Sequence, residues 1–149
     1  MHKDKLLKKS CSCGGGMTIH MHTLIYSTKV KITEVPVYTC SQCSRYEPLP
    51  FIKSDLSQLL KELSNSSAKR YVSFTDRNEW AVILKETFAG FITVDIKELE
   101  EAILRAVQNR IDLLLDIYQL AAEIGDREWM DETALRLSQL THPAPERAK

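Results

Sequence analysis

The feature that most limits what this chain can fold into is the placement of its cysteines. There are four in 149 residues, and all fall in two tight pairs at the ends of one short stretch, Cys11 with Cys13 and Cys40 with Cys43. Zn2+ takes four tetrahedral ligands, and two tight turns that each supply two sulfurs deliver such a set economically. The pattern predicts one structural zinc ion per chain held by Cys11, Cys13, Cys40 and Cys43, with a β-hairpin between the two turns. Two disulfides or four unrelated core cysteines are the alternative. The clustering weighs against them, as does the opening M-H-K-D-K-L-L-K-K-S, which is basic but lacks the apolar stretch of a secretory signal. Iron accepts the same four-sulfur geometry, and zinc is favoured because iron is usually accompanied by two full C-x2-C turns.

Only Ser12 separates the first pair, so that turn must curl sharply for both sulfurs to reach one ion. Gly14, Gly15 and Gly16 follow it. Glycines tolerate positive φ and let backbone N–H groups approach the sulfurs, which offsets the negative charge of a zinc tetrathiolate. His20 and His22 lie between the pairs; either could replace a missing cysteine ligand, or both occupy the solvent face of a strand. Met17–Tyr26 and Lys29–Tyr38 read as the two strands of the hairpin, with Val30 and Ile32 on one face and Lys29 and Lys31 on the other. A hairpin of this size buries little, so the metal is expected to supply most of its stability.

These residues resemble the YgiT-type zinc finger, the metal-binding half of a family of bacterial antitoxins. Cys11, Cys13, Gly14 to Gly16 and Met17 match its first turn, one residue short between the cysteines. Val35, Pro36, Val37, Cys40 and Cys43 match its second, with Ser44 where glycine is usual. The resemblance covers about a third of the chain and implies a zinc-stabilised recognition module rather than a reaction.

Beyond Cys43, Pro48 and Pro50 predict an extended linker, and Ser54 a helix cap before the stripe Leu56, Leu59, Leu60 and Leu63. The polar run S-N-S-S at 64–67 predicts a domain boundary. The expected organisation is therefore a zinc-ribbon-like module over 1–50, a connecting helix and linker over 51–67, and a mostly helical domain over 68–149. That is an α+β class: a small N-terminal β-hairpin module followed by a mostly helical half. In the second half Tyr71–Thr75 is strand-like, and Asp76 with Glu79 resembles a capping box opening a helix to about Phe88, with Gly90 ending it. Phe91–Val94 reads as a strand or an extended lead-in. Asp95, with Glu98 three residues on, caps a long helix whose apolar face is Ile96, Leu99, Ile103, Val107, Leu114, Ile117, Ala121 and Ile124, widened by Leu113, Leu115, Tyr118 and Leu120. Gly125 ends it, and a further helix carries Trp129, Met130, Ala134, Leu137 and Leu140 before H-P-A-P. The pair makes a helical hairpin, and any apolar surface left uncovered on it should bind a partner or a second copy.

Ala121 and Gly125 have the spacing of a helix-turn-helix, but the helix that would read DNA carries Asp126, Glu128, Asp131 and Glu132 against Arg127 and Arg136, the wrong sign for a phosphate backbone. Ile111, Asp112, Leu114, Gly125, Asp126, Arg127, Glu128, Trp129 and Leu137 to Leu140 resemble instead the IDEAL domain, a helical hairpin of small regulatory proteins in bacilli, with Trp129 where Phe is usual. This resemblance implies a class, small cytoplasmic regulator, rather than a mechanism.

Charge divides along the chain. Residues 1–60 hold eight Lys or Arg and four Asp or Glu, whereas 95–140 hold five and eleven. Lys3, Lys5, Lys8 and Lys9 could face phosphates, although a terminal lysine run more often serves solubility. No apolar run reaches the roughly 20 residues needed to cross a bilayer. A four-cysteine site leaves no open position for a catalytic water, neither Glu34 nor Glu47 sits in a zinc-hydrolase motif, and no nucleophile triad, P-loop or dinucleotide fingerprint is present. The expectation is a non-enzymatic, cytoplasmic zinc-binding regulator that binds another protein, as adaptor or antitoxin-like neutraliser, with self-association through the C-terminal helices open. The alternative is a nucleic-acid-binding regulator that uses the basic zinc module.

Overall fold

The structure is a computed structural model that describes residues 7–26, 28–65, 68–90 and 95–141. It is mixed α and β: a mainly antiparallel sheet carrying the cysteines comes first, and helices follow. The chain divides into two compact units, Met1–Arg77 and Asn78–Lys149.

The hairpin expected from the sequence is the centre of the first unit. Strands β2 (Gly16–Tyr26) and β3 (Val30–Cys40) pair antiparallel from Met17↔Cys40 to His22↔Val35, and again from Leu24↔Ile32 to Tyr26↔Val30. Between those runs β3 advances three residues while β2 advances two, so the ladder bulges at Glu34, which takes φ 60°. Strand β1 (Lys8–Ser10) pairs with β2, and β4 (Tyr46–Pro48) with β3, both antiparallel. Strand β5 (Arg70–Ser73) adds beside the first half of β3 in parallel, from Val30↔Arg70 to Thr33↔Ser73.

Three sequence expectations are corrected in this unit. Pro48 lies in β4, opposite Val37, rather than in a linker, and Pro50 opens a 3-10 turn, Pro50–Ile52, leading into helix α1 (Lys53–Ser64). A short outer strand tolerates proline because it needs few ladder donors. Ser54 does not cap α1: the cap position is Ile52, with no side-chain bond, because the 3-10 turn runs straight into the helix. The polar run does not end the unit either, since β5 takes its partners from β3, and the Arg70 amide donates to the Lys29 carbonyl at 2.9 Å. The division falls after Arg77.

The apolar content follows from this extension. Leu56, Leu59 and Leu63 of α1 are buried as their spacing predicts, and Ile32, Val35, Val37, Leu49, Ile52, Leu59 and Phe74 have no exposure at all. At about 1.5–3 kcal/mol per buried large side chain, this core is far more than a lone hairpin could supply. The expectation that a metal carries most of the module's stability is thereby revised: an ion at the cysteines would fasten one end of a unit that has its own core.

The second unit is helical: α2 (Glu79–Gly90), α3 (Ile96–Ile124) and α4 (Arg127–Thr141). Residues 91–94, read from sequence as a strand or lead-in, and the H-P-A-P stop lie outside the described residues. Asp76 and Glu79 do not form a capping box. Asp76 belongs to a 3-10 turn, Phe74–Asp76, and α2 is capped by Asn78, whose Oδ1 accepts from the Ala81 amide at 3.0 Å. Asp95 caps α3 as expected, accepting from the Lys97 amide, and Gly125 ends it at φ 76°. Asp126 then accepts from the Trp129 amide at 3.0 Å to start α4. Freed from capping, Glu79 turns inward with its side chain 6% exposed. It accepts from Arg110 Nε at 2.5 Å and Nη2 at 3.4 Å, while its own amide donates to Gln139 Oε1 at 2.8 Å, linking α2 to both α3 and α4.

Ile103, Leu114 and Ala121 form the buried stripe of α3. Leu113, Leu120 and Ile124 lie about 60–100° round the helix from it, at about 100° per residue, and are 47%, 48% and 62% exposed. Ile124, expected on the buried face, is therefore corrected to the uncovered one.

Candidate metal centre

Two turns at the same end of the sheet carry the cysteines. Met17 pairs with Cys40, so register alone sets the first knuckle beside the second. In the first, the Cys11 amide donates to the Gly15 carbonyl and the Gly14 amide to the Cys11 carbonyl, both at 2.9 Å, closing a small loop around Ser12. In the second, the Cys40 amide donates to the Arg45 carbonyl at 2.9 Å. The Ser41 amide reaches the Gly16 carbonyl at 3.4 Å, and Arg45 Nη1 donates to Ser12 Oγ at 3.0 Å, so the knuckles are tied to each other as well as to the sheet.

The four sulfur atoms all lie within 4.8 Å of one another. Cys11 Sγ is 3.6 Å from Cys43 Sγ, and Cys13 Sγ is 3.5 Å from Cys40 Sγ. Four sulfurs around a tetrahedral ion at about 2.3 Å are separated by about 3.8 Å, whereas a disulfide requires about 2 Å. Cys11 and Cys40 are buried, Cys13 and Cys43 exposed.

The glycines divide the labour. Gly14 takes φ 97°, a backbone conformation strained for any other residue. At Gly15 an added Cβ would lie 3.1 Å from Cys40 Sγ and 3.0 Å from Gln42 Cγ, and at Gly16 it would meet nothing within 4 Å. The sequence shows three glycines alike; only the packing assigns space to one and dihedral freedom to another. Ser44 occupies the left-handed region, φ 62°.

Backbone amides face the sulfurs as anticipated: Gly15 N–H lies 3.4 Å from Cys13 Sγ and Gln42 N–H 3.4 Å from Cys40 Sγ. The Cys43 and Gln42 amides draw the Cys40 thiol down to about 6. For Cys13 the Gly15 amide acts in the same direction, yet crowding by the Cys40, Cys11 and Cys43 sulfurs pushes it up to about 12. Sulfurs this close do not all ionise by themselves; either protons stay on some of them or a cation neutralises the set. The donor set, its spacing and its converging amides fit a soft divalent ion, and Cys11, Cys13, Cys40 and Cys43 would hold it.

The histidines are not brought to the site. His20 is exposed on β2 with Nε2 3.1 Å from Thr18 Oγ1, and the His22 ring lies 5.7 Å from that of Tyr46. Among the described residues the four cysteines are the one group of His, Cys, Asp and Glu with metal-ligand spacing. Glu47 pairs with Lys9, which holds its carboxyl below the usual range. No described helix is long and apolar enough to cross a membrane. Comparison of the chain with protein-family models, curated proteins and solved structures yields no match.

Proposed function

We propose that this chain is a non-enzymatic zinc-binding regulatory protein that binds another protein, as an adaptor or an antitoxin-like neutraliser in a reducing cytoplasm. The observation that carries the reading is the closed set of four sulfurs within 4.8 Å of one another. Four cysteine ligands fill a tetrahedral ion and leave no position for a water nucleophile or a substrate, so the ion's role is to fasten the two knuckles at the end of β2 and β3. Tetrathiolate donation suits zinc in a compartment where thiols stay reduced.

Protein binding is supported by the helical unit. Leu113, Leu120 and Ile124 form an uncovered apolar stripe along two turns and more of α3, of the kind that surface helices bury on association. A second copy of the chain is the variant of the same reading. The resemblances of the cysteine segment to YgiT-type zinc fingers and of the α3–α4 turn to the IDEAL domain agree with a small regulator.

Native mass spectrometry of the full chain purified without added metal tests the first half: one zinc on wild type, lost or weakened in Cys13→Ser, is expected, and a folded metal-free wild type would overturn it. For the second half, a protein recovered with wild type from its native source should be lost with Leu120→Asp. Equal recovery by both refutes the α3 surface.

A further inference from the structure

The far end of the sheet carries a second surface that the metal centre does not explain. Residues 5–33 and 63–75 contain no Asp or Glu. They are distant in sequence, and the parallel pairing of β5 with β3 sets Val30–Thr33 of the first beside Arg70–Ser73 of the second. Lys31 is opposite Tyr71 across that pairing and opposite Ile25 across the hairpin. Because alternate residues of β3 point to opposite faces and Val30 and Ile32 are buried, Ile25, Lys31 and Tyr71 form a row on the outer face. Ile25 is 69% and Tyr71 71% exposed, the two most exposed large apolar or aromatic side chains among the described residues. Lys31 Nζ lies 5.5 Å from the centroid of the Tyr71 ring. Lys29 and Lys69, both exposed, border the row; Arg70 pairs with Val30 and so points to the opposite face, its N–H bonded to the Lys29 carbonyl.

We propose that this row is a binding surface for single-stranded nucleic acid, with the phosphates taken by Lys29, Lys31 and Lys69 and one base stacked on Tyr71. Single strands are held by cations that track the backbone and by exposed rings on which bases stack, and both are present on one open strand surface. The ammonium over Tyr71 marks a site already suited to a group that accepts a π face; on a flexible stem, Lys31 moves aside to a phosphate when a base arrives. The charge is complementary at the scale of the whole unit, since residues 1–77 hold twelve Lys or Arg against six Asp or Glu, while residues 78–149 hold eight against fourteen. This surface lies about 30 Å along β3 from Cys40, at roughly 3.3 Å per residue, and is independent of both the zinc and the α3 reading.

The test is fluorescence anisotropy of labelled twelve-nucleotide oligo(dT) and oligo(U) with the full chain between 50 and 200 mM salt. Three phosphate contacts predict that log affinity falls with log salt at a slope of about −2, from about −0.7 per contact on single strands. Tyr71→Ala should weaken binding by about 5- to 150-fold and leave the slope unchanged, with Tyr71→Trp restoring affinity. Lys31→Ala and Lys69→Ala should each flatten the slope by about 0.7. Leu120→Asp and Cys13→Ser, scored for fold by circular dichroism, separate this surface from the other two readings; a folded Leu120→Asp should bind oligonucleotide as wild type does. The proposal is overturned by no binding at 50 mM salt, by binding indifferent to Tyr71→Ala and Lys31→Ala, or by binding only to phosphatidylserine vesicles.

Discussion

Two neighbouring glycines at the metal centre should respond in opposite ways to the same substitution. In Gly15→Ala the new Cβ would stand 3.1 Å from Cys40 Sγ and 3.0 Å from Gln42 Cγ, closer than all but the tightest real contacts. The Gln42 side chain is exposed and can give way, but Cys40 ends a paired strand, is buried, and with metal bound has its sulfur held at a length of about 2.3 Å. A sulfur pushed by a few tenths of an ångström off its position is a disturbance of the order seen when a supporting group around a metal ligand is removed, about 10- to 100-fold in affinity. That corresponds to about 1.4–2.7 kcal/mol. In Gly16→Ala the Cβ meets nothing within 4 Å. The change in the unfolded chain is the same in both variants, so the difference between them isolates the contact. Zinc affinity measured on the full chain by competition with a chromophoric chelator, at one pH, should place Gly15→Ala at least tenfold below wild type and Gly16→Ala at wild type or slightly above. Equal affinities for the two variants would refute the geometry assigned to Cys40.

Glu79→Ala should destabilise the helical unit by about 3 kcal/mol, at the low end for breaking a buried pair because Arg110 can still reach solvent. Both tryptophans, Trp80 and Trp129, belong to that unit, so the loss is read as a lower urea midpoint in tryptophan fluorescence, and an unchanged midpoint contradicts it. Ser44→Gly relieves a left-handed residue at φ 62° and should raise zinc affinity several-fold, for about 1 kcal/mol; a decrease would mean that the serine contributes something other than strain. Lys9 holds Glu47 below the usual carboxylate range. Stability from this pair is therefore complete above the unfolded value of about 4.3 and lost as pH falls through the lower folded value, by less than about 1 kcal/mol for a pair about one-third exposed. Glu47→Gln should flatten the acid side of the unfolding profile, and a parallel profile speaks against the pair.

What the sequence determined by itself is local. The four cysteines, the hairpin between them, the stripe of Leu56, Leu59 and Leu63, the Asp95 cap and the Gly125 stop all follow from residues within a turn or a strand of one another, where periodicity, capping chemistry and ligand spacing operate. Where a local signal meets a distant partner, the partner decides. Asp76 and Glu79 have the spacing of a capping box, but Asn78 takes the cap and Glu79 is drawn inward by Arg110, thirty-one residues on. Pro48 and Pro50 look like a linker until β3 offers β4 a partner. Tyr71 belongs by sequence to the helical half, yet β3 takes β5 into its sheet, because unpaired strand groups gain hydrogen bonds wherever an edge is free. That pairing alone places Lys31 against Tyr71, between stretches that carry no Asp or Glu. The roles of the glycines were decided in the same way: their identity is written in the chain, but which one needs space and which one needs a positive φ depends on where Cys40 arrives from the other side of the sheet.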